Sequence, residues 1–265
     1  MTEHSQQEIS RRLEVALSAS HEAGKLTLEF FRDSELRVDR KSDDSPVTEA
    51  DRGAEILLRE HITAAFPEDG ILGEEFPEVP SKNGLQWIVD PIDGTKSFIH
   101  GVPLYSTLIA LTVDDRPVMG IIRLPALDEV VYAARGMGAW YVRQGGESQP
   151  ARVSSVDKVS ESLFVTSEVA SFDEYGTRDA HDRLQSACRL SRSWGDGYGY
   201  FLVATGRAEI MVDPIINLWD IAAMLPIIEE AGGRFTDWQG NPTIRTPQTV
   251  ATCGPIHDEV LGLLK

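Results

Sequence analysis

A layered fold of the α/β or α+β class is what the 265-residue sequence predicts. Apolar residues at helical spacing open the chain, short alternating runs fill its middle, and strand-like and helix-like runs alternate toward its end. Ile9, Leu13, Ala16, Leu17, Ala23 and Phe30 recur at helical spacing through EISRRLEVALSASHEAGKLTLEFF, which predicts a long amphipathic helix. A second helix is expected through SPVTEADRGAEILLREHI, stopping before Phe66-Pro67 because the residue before a proline is pushed out of the helical region. The acid- and proline-rich stretch EDGILGEEFPEVPSKNG shows neither periodicity and is expected as an irregular loop, the segment freest to move.

LQWIVD reads as a short buried strand. YSTLIALTV, VMGIIRL, VVYAA and AWYV follow in quick succession, separated by the turn chemistry of DDRP, LPALDE and RGMG, which predicts an antiparallel meander. Beyond it come strand-like LFVTS, helix-like RDAHDRLQSAC, glycine-rich WGDGYGYFLVATG, strand-like AEIMVD and one helix, LWDIAAMLPIIEEAGG, closed by its glycines. QGGESQPARVS, near residues 145 to 155, is the natural seam, so one unit spanning 1–265 is expected in two halves, roughly 1–150 and 151–265.

Charge and cysteine content narrow the function classes. With 42 Asp plus Glu against 25 Lys plus Arg, net charge −17, the surface repels nucleic acid and anionic membranes. A small phosphorylated metabolite is still accommodated, because bound divalent cations reverse the sign of a local site. Cys188 and Cys253 form no CxxC pattern, which argues against a disulfide framework or a zinc ribbon. MTEHSQQEISRR has no apolar core of the signal-peptide type, and no run of about 18 apolar residues follows, so a cytoplasmic protein is expected. The six histidines, His4 among them, are scattered without an HxxxH pattern.

WIVDPIDGTKSF poses the chemical question. Asp90 and Asp93 flank Pro91, which fixes φ and is expected to break the strand, so both carboxylates can project into one space. Two ionised acids held together repel unless one is protonated or a cation lies between them. Gly94 and Thr95 offer backbone N–H groups at the first turn of a helix, a setting that cradles phosphate. Asp-Pro and Asp-Gly are also turn dipeptides and Asp also caps helices, so the segment alone serves a turn-and-cap or a metal site equally. Thr48-x-x-Asp51 matches a capping box, Glu74 in GEE reads by itself as a solvated loop acid, and Asp220 reads by itself as a helix cap.

Taken together, VTEAD (47–51), GEE (73–75), WIVDPIDGT (87–95) and LWDIAA (218–223) resemble, in order and approximate spacing over essentially the whole chain, the inositol monophosphatase family of magnesium-dependent phosphomonoesterases. The resemblance implies an αβαβα sandwich of the inositol monophosphatase and fructose-1,6-bisphosphatase type, usually a homodimer, with two or three Mg²⁺ per site. It implies Glu74, Asp90, Asp93, Asp220 and the carbonyl of Ile92 as metal ligands, with Asp93, Gly94 and Thr95 around the phosphate. Thr95 with Asp51 would orient the attacking water, and Glu74 would also serve catalysis.

The sequence departs from the inositol-cleaving pattern where Lys96 and Ser97 follow DGT and where Asp213 replaces a usual Glu. CRLSRSWGDGYGY resembles the histidinol-phosphate phosphatase branch of that family, which places the chain in histidine biosynthesis. Arg192, Asp196, Gly197 and Asp213 are then the expected substrate-binding residues. Inositol 1-phosphate or a related sugar phosphate is the alternative substrate, and a metal- and phosphate-binding regulatory protein without turnover the alternative class.

Overall fold

A computed structural model describes residues 6–42 and 44–265; the amino-terminal MTEHS, with His4, lies outside them. Helix α1 (Gln6–Phe30) leads through a ribbon of β1 (Val38–Arg40) and β2 (Pro46–Thr48) to helix α2 (Glu49–Ala65). Seven strands then form one sheet in chain order: β3 (Gly70–Gly73), β4 (Leu85–Asp93), β5 (Ser106–Val113), β6 (Arg116–Leu124), β7 (Glu129–Ala134), β8 (Ala139–Arg143) and β9 (Gln149–Pro150). The short helix α3 (Thr95–Ile99) sits between β4 and β5. From β4 to β9 every pairing is antiparallel, the expected meander.

The second sheet takes β10 (Leu163–Val165), β11 (Leu190–Arg192), β12 (Ile210–Asp213), β13 (Arg234–Thr236) and β14 (Thr249–Thr252) in the order β11-β10-β12-β14-β13. Between these strands run α4 (Val169–Glu174), α5 (Arg178–Ala187), α6 (Gly197–Ala204), α7 (Leu218–Ile221) and α8 (Met224–Glu230), and α9 (His257–Leu264) closes the chain.

Strand alternation builds the layers. On β4 to β7, Trp87, Val89, Ile109, Leu111, Met119 and Ile121 face Leu13, Ala16, Leu58 and Ile62 of α1 and α2. Their neighbours Ile88, Leu108, Ala110, Ile122 and Val131 face Phe201, Val203, Leu225 and Ile228 of α6 and α8. Those two helices are also covered by Met211, Phe235 and Ala251 of the second sheet, so one apolar cluster draws on both sheets. The opposite face of that sheet, Phe164, Ile210, Val212 and Val250, packs on Phe172, Leu184 and Val260 of α4, α5 and α9. The order is helix, sheet, helix, sheet, helix, the αβαβα sandwich that the resemblance implies.

Three local expectations change. The stretch around residues 68–84 is not irregular throughout: Gly70–Gly73 adds to β4 as a parallel edge strand, and Ile71 bridges to Val79. Four residues with two glycines leave too little alternation to read in advance. Pro91 does not end its strand, because β4 continues to Asp93 through a bulge. The helix expected over LWDIAAMLPIIEEAGG is two, interrupted at Ala222–Ala223. Pro226 has no N–H for the Ala222 carbonyl, and its ring crowds that oxygen.

Candidate active site

The bulge in β4 answers why two acids flank a proline. In a regular strand, residues three apart point to opposite faces. Here Asp90 pairs with Leu108 and Asp93 with Ser106, so one extra residue is inserted between them and both acids reach the same side. Asp220 arrives at the third position of α7, where Asn217 and Asp220 form a capping box and the Asn217 N–H reaches Asp220 Oδ2 at 3.0 Å. The cap and the cluster coexist in one residue. Carboxylate oxygens of Asp90, Asp93 and Asp220 lie within 4.8 Å of one another.

These acids are supported from behind. Asp93 Oδ2 accepts the Ser106 hydroxyl at 2.5 Å and the Gly197 N–H, at the start of α6, at 2.7 Å. A side chain at Gly197 would place Cβ 2.7 Å from that same oxygen, so only glycine allows the approach. The Ile92 N–H caps Asp90 Oδ1 at 3.1 Å. Asp51, at the third position of α2, closes the predicted capping box with Thr48 and faces Thr95, whose hydroxyl lies 3.4 Å from Asp51 Oδ1 and 3.0 Å from the Ile92 carbonyl. Gly94 holds φ +79° as the residue that starts α3.

Electrostatics follow from the crowding. Burial, reinforced by the neighbouring charges of Glu74 and Asp220, pushes the Asp90 carboxyl well above its usual range, and burial with the charges of Asp196 and Asp220 does the same to Asp93. Desolvation raises Asp220 to about 7. Burial also raises Asp51. A cluster of oxygens that resists ionisation alone is the donor set a hard divalent cation neutralises, and no histidine or cysteine belongs to it. The residues present therefore fit Mg²⁺.

A cavity of about 450 Å³ opens over these groups, lined by Glu74, Asp90, Ile92, Asp93, Gly94 and Thr95 from the first half of the chain and by Ser167, Glu168, Asp196, Asn217 and Asp220 from the second. Glu74 lines it without joining the 4.8 Å triad; its Oε1 accepts Lys41 Nζ at 2.6 Å.

The expected substrate residues divide. Asp196 lines the cavity, from a backbone of φ +55°, ψ −156° that non-glycine residues avoid at a cost of about 1–3 kcal/mol. Gly197 holds Asp93 and is not part of the cavity wall. Arg192 is exposed and turns back to the Ser191 carbonyl at 2.7 Å, away from the cavity. Asp213 is buried behind the wall, accepting Thr166, Ser167 and Tyr200 hydroxyls and the Ser167 N–H, because a carboxylate at that depth needs donors on both oxygens. Ser167 and Glu168, at the end of β10, are wall residues that sequence reasoning missed; the only signal was a polar pair after an apolar run.

The model of the inositol monophosphatase family matches residues 8–262. A histidinol-phosphatase of Chlorobaculum parvum (strain DSM 263 / NCIMB 8327) is 49% identical over 232 residues, 88% of either chain. One of Mycobacterium tuberculosis is 40% identical over 252 residues, 95% of this chain and 97% of its own. Among solved structures, an inositol monophosphatase from Zymomonas mobilis matches with a TM-score of 0.83 at 32% identity, over 96% of this chain and 98% of that one. A match of that length, over a fold whose bulged strand and capped helix gather the acids of its motifs, makes this chain a member of the inositol monophosphatase family.

Proposed function

We propose that the chain is a phosphomonoester hydrolase that works with Mg²⁺, two or three ions per site, and acts on histidinol phosphate. The observation that carries this reading is the convergence of Asp90, Asp93 and Asp220 within 4.8 Å beside the Asp51–Thr95 contact. Glu74, Asp90, Asp93, Asp220 and the Ile92 carbonyl would hold the metal, and Gly94 and Thr95 would seat the phosphate next to Asp93. Bound Mg²⁺ supplies the acidification of the attacking water and the neutralisation of charge on the phosphate and leaving oxygen. The Thr95 hydroxyl donates toward Asp51, which leaves its oxygen to accept from a water and orient it. Asp51 Oδ1 takes the proton through that hydroxyl, and burial makes it a better base than an exposed carboxylate.

Substrate choice rests on the wall beyond the metal. Glu168 and Asp196 give it two acids against one base, Lys96, which pairs with Glu168 at 2.9 Å. An ester carrying an ammonium and an imidazole suits that wall better than a neutral polyol does. The histidinol-phosphatase relatives support the same choice and with it a place in histidine biosynthesis. Inositol 1-phosphate or a sugar phosphate is the second reading, favoured by a fructose-1,6-bisphosphatase/inositol-1-monophosphatase of Thermotoga maritima, 34% identical over 220 residues. Initial rates on histidinol phosphate, inositol 1-phosphate, fructose 1,6-bisphosphate and adenosine 3′,5′-bisphosphate at one Mg²⁺ concentration decide between them. Histidinol phosphate is expected to lead in kcat/KM by at least about tenfold, about 1.4 kcal/mol, and EDTA to abolish phosphate release. A smaller lead removes histidinol phosphate from its position, and no release from any ester removes catalysis.

The reading includes a cytoplasmic homodimer. It is supported by Leu190 and Trp194, more than two-fifths exposed at and just beyond the edge strand β11, and by the lack of any helix among the described residues long and apolar enough to cross a membrane. Sedimentation equilibrium is expected to return twice the chain mass of 29.2 kDa; a monomer at micromolar concentration contradicts it.

A further inference from the structure

Glu55 is fully buried on α2, yet its carboxylate does not line the cavity over the acids. Its Oε2 accepts the Glu75 N–H at 2.8 Å, and its Oε1 accepts Arg59 Nε at 2.8 Å from one turn further along the helix. Arg59 in turn donates Nη2 to the Phe76 carbonyl at 3.0 Å, with its guanidinium 5.9 Å from the centre of the Phe76 ring. Gly73 completes the contact: a Cβ there would lie 2.0 Å from Glu55 Oε1, so the loop backbone approaches the helix as closely as glycine permits. Residues 73, 75 and 76 are thus fastened to one helix face, and Glu74 is the residue between them, directed at the cavity.

The same face carries Asp51. Asp51, Glu55 and Arg59 follow one another at four-residue spacing, which aligns them along one ridge of α2. Asp51 meets Thr95 directly, and Glu74 is tied to the ridge through Glu55 and Arg59. One rigid helix therefore fixes the separation between the water-orienting pair and the fourth acid. A buried ion pair contributes little net stability beside well-packed apolar residues, so its place here is explained by the geometry it enforces.

We infer that Glu55 and Arg59 are positioning residues, a brace from α2 that presents Glu74 to the metal and sets the affinity of the site for Mg²⁺. The inference rests on the metal-dependent reading given under Proposed function. Partners that orient ligands without touching the metal typically change affinity by about 10- to 100-fold when removed. Lys41 holds the side-chain tips of Glu74 and Glu75, at 2.6 and 2.7 Å, whereas the brace holds the backbone of the two residues that follow Glu74.

The test is calorimetric titration of the metal-free protein with Mg²⁺, alongside the Mg²⁺ dependence of kcat and the melting temperature. Arg59→Met is expected to raise the Mg²⁺ Kd by about tenfold while kcat at saturating Mg²⁺ stays within about threefold of wild type. Glu55→Gln keeps the side chain's shape and is expected to move Kd in the same direction; it decides the matter if Arg59→Met does not yield folded protein. Arg207→Met is the control: it breaks a more exposed acid–arginine pair, Glu129–Arg207 at 2.9 Å, away from the cavity wall, and is expected to lower the melting temperature with Kd unchanged. Wild-type Kd in both Arg59→Met and Glu55→Gln overturns the brace, as does a Kd in Arg207→Met that shifts as much as theirs. Wild-type protein that takes up no Mg²⁺ overturns the metal reading itself, a failure visible before any variant is made.

Discussion

Asp93→Asn is expected to lower kcat by at least about 10³-fold, on the order of 4 kcal/mol in the barrier, with a melting temperature close to that of wild type. The reason lies in how the side chain is held. Oδ2 takes hydrogen bonds from the Ser106 hydroxyl and the Gly197 N–H, both within 2.7 Å. An asparagine keeps those two bonds only by placing its carbonyl oxygen there, which turns the NH₂ toward Asp90 and Asp220 and presents donor hydrogens where a cation needs an anion. Folding loses little, because the native carboxylate is already disfavoured by burial and by Asp196 and Asp220. Steady-state rates with a parallel thermal melt, each with and without Mg²⁺, check this. Substantial turnover by the variant would remove Asp93 from the metal site, and a collapse in melting temperature would reassign it to the fold.

The second large effect is on stability, at the opposite end of β4. Asp69 is buried, and its carboxylate receives Arg12 Nε at 2.8 Å, Arg12 Nη2 at 3.0 Å, Asn83 Nδ2 at 2.7 Å and Trp87 Nε1 at 3.0 Å. Burial works against its charge, but the bonds from Arg12, Asn83 and Trp87 win and hold its pKa below the usual carboxylate range. The group ties α1, the turn after α2 and β4 to one point, with the Arg12 guanidinium 4.4 Å from the centre of the Phe66 ring. Asp69→Ala takes the acceptor from Nε and Nη2 of a nearly buried guanidinium, whose Nη1 keeps the Glu8 carbonyl at 3.4 Å, and from a fully buried indole N–H. A loss of about 3–5 kcal/mol, roughly 10 °C in melting temperature, is expected in denaturant and thermal unfolding. A loss under about 1 kcal/mol would show that water replaces the carboxylate and that the network is incidental.

The layered class and the central meander were legible because alternation along β5 to β8 and the turns between them are local properties of the chain. So were the acids of the centre, since a carboxylate beside an apolar run demands a partner wherever the run packs. What makes Asp90 and Asp93 neighbours was not legible: the bulge exists only in the register with β5, and Pro91 read alone points to a strand end. Pro226 did carry a readable signal for the break between α7 and α8, outweighed by the apolar periodicity around it. The carboxy-terminal β13, β14 and α9 were unread, their short runs taking meaning only from pairing and packing on the rest of the second sheet. The positions of the expected substrate residues were not legible for the same reason. Asp196 reaches the cavity, whereas the depth of Asp213 and the outward course of Arg192 depend on which face of the second sheet each occupies.

The bulge supplies a pair of carboxylates early in the chain, and their third companion is 127 residues further on, at Asp220. A chain emerging from the ribosome therefore lacks the complete trio of acids through most of its synthesis, and a product truncated before Asp220 would never acquire it. If the trio binds a divalent ion as proposed, uptake would report that the second half has been made and has folded against the first.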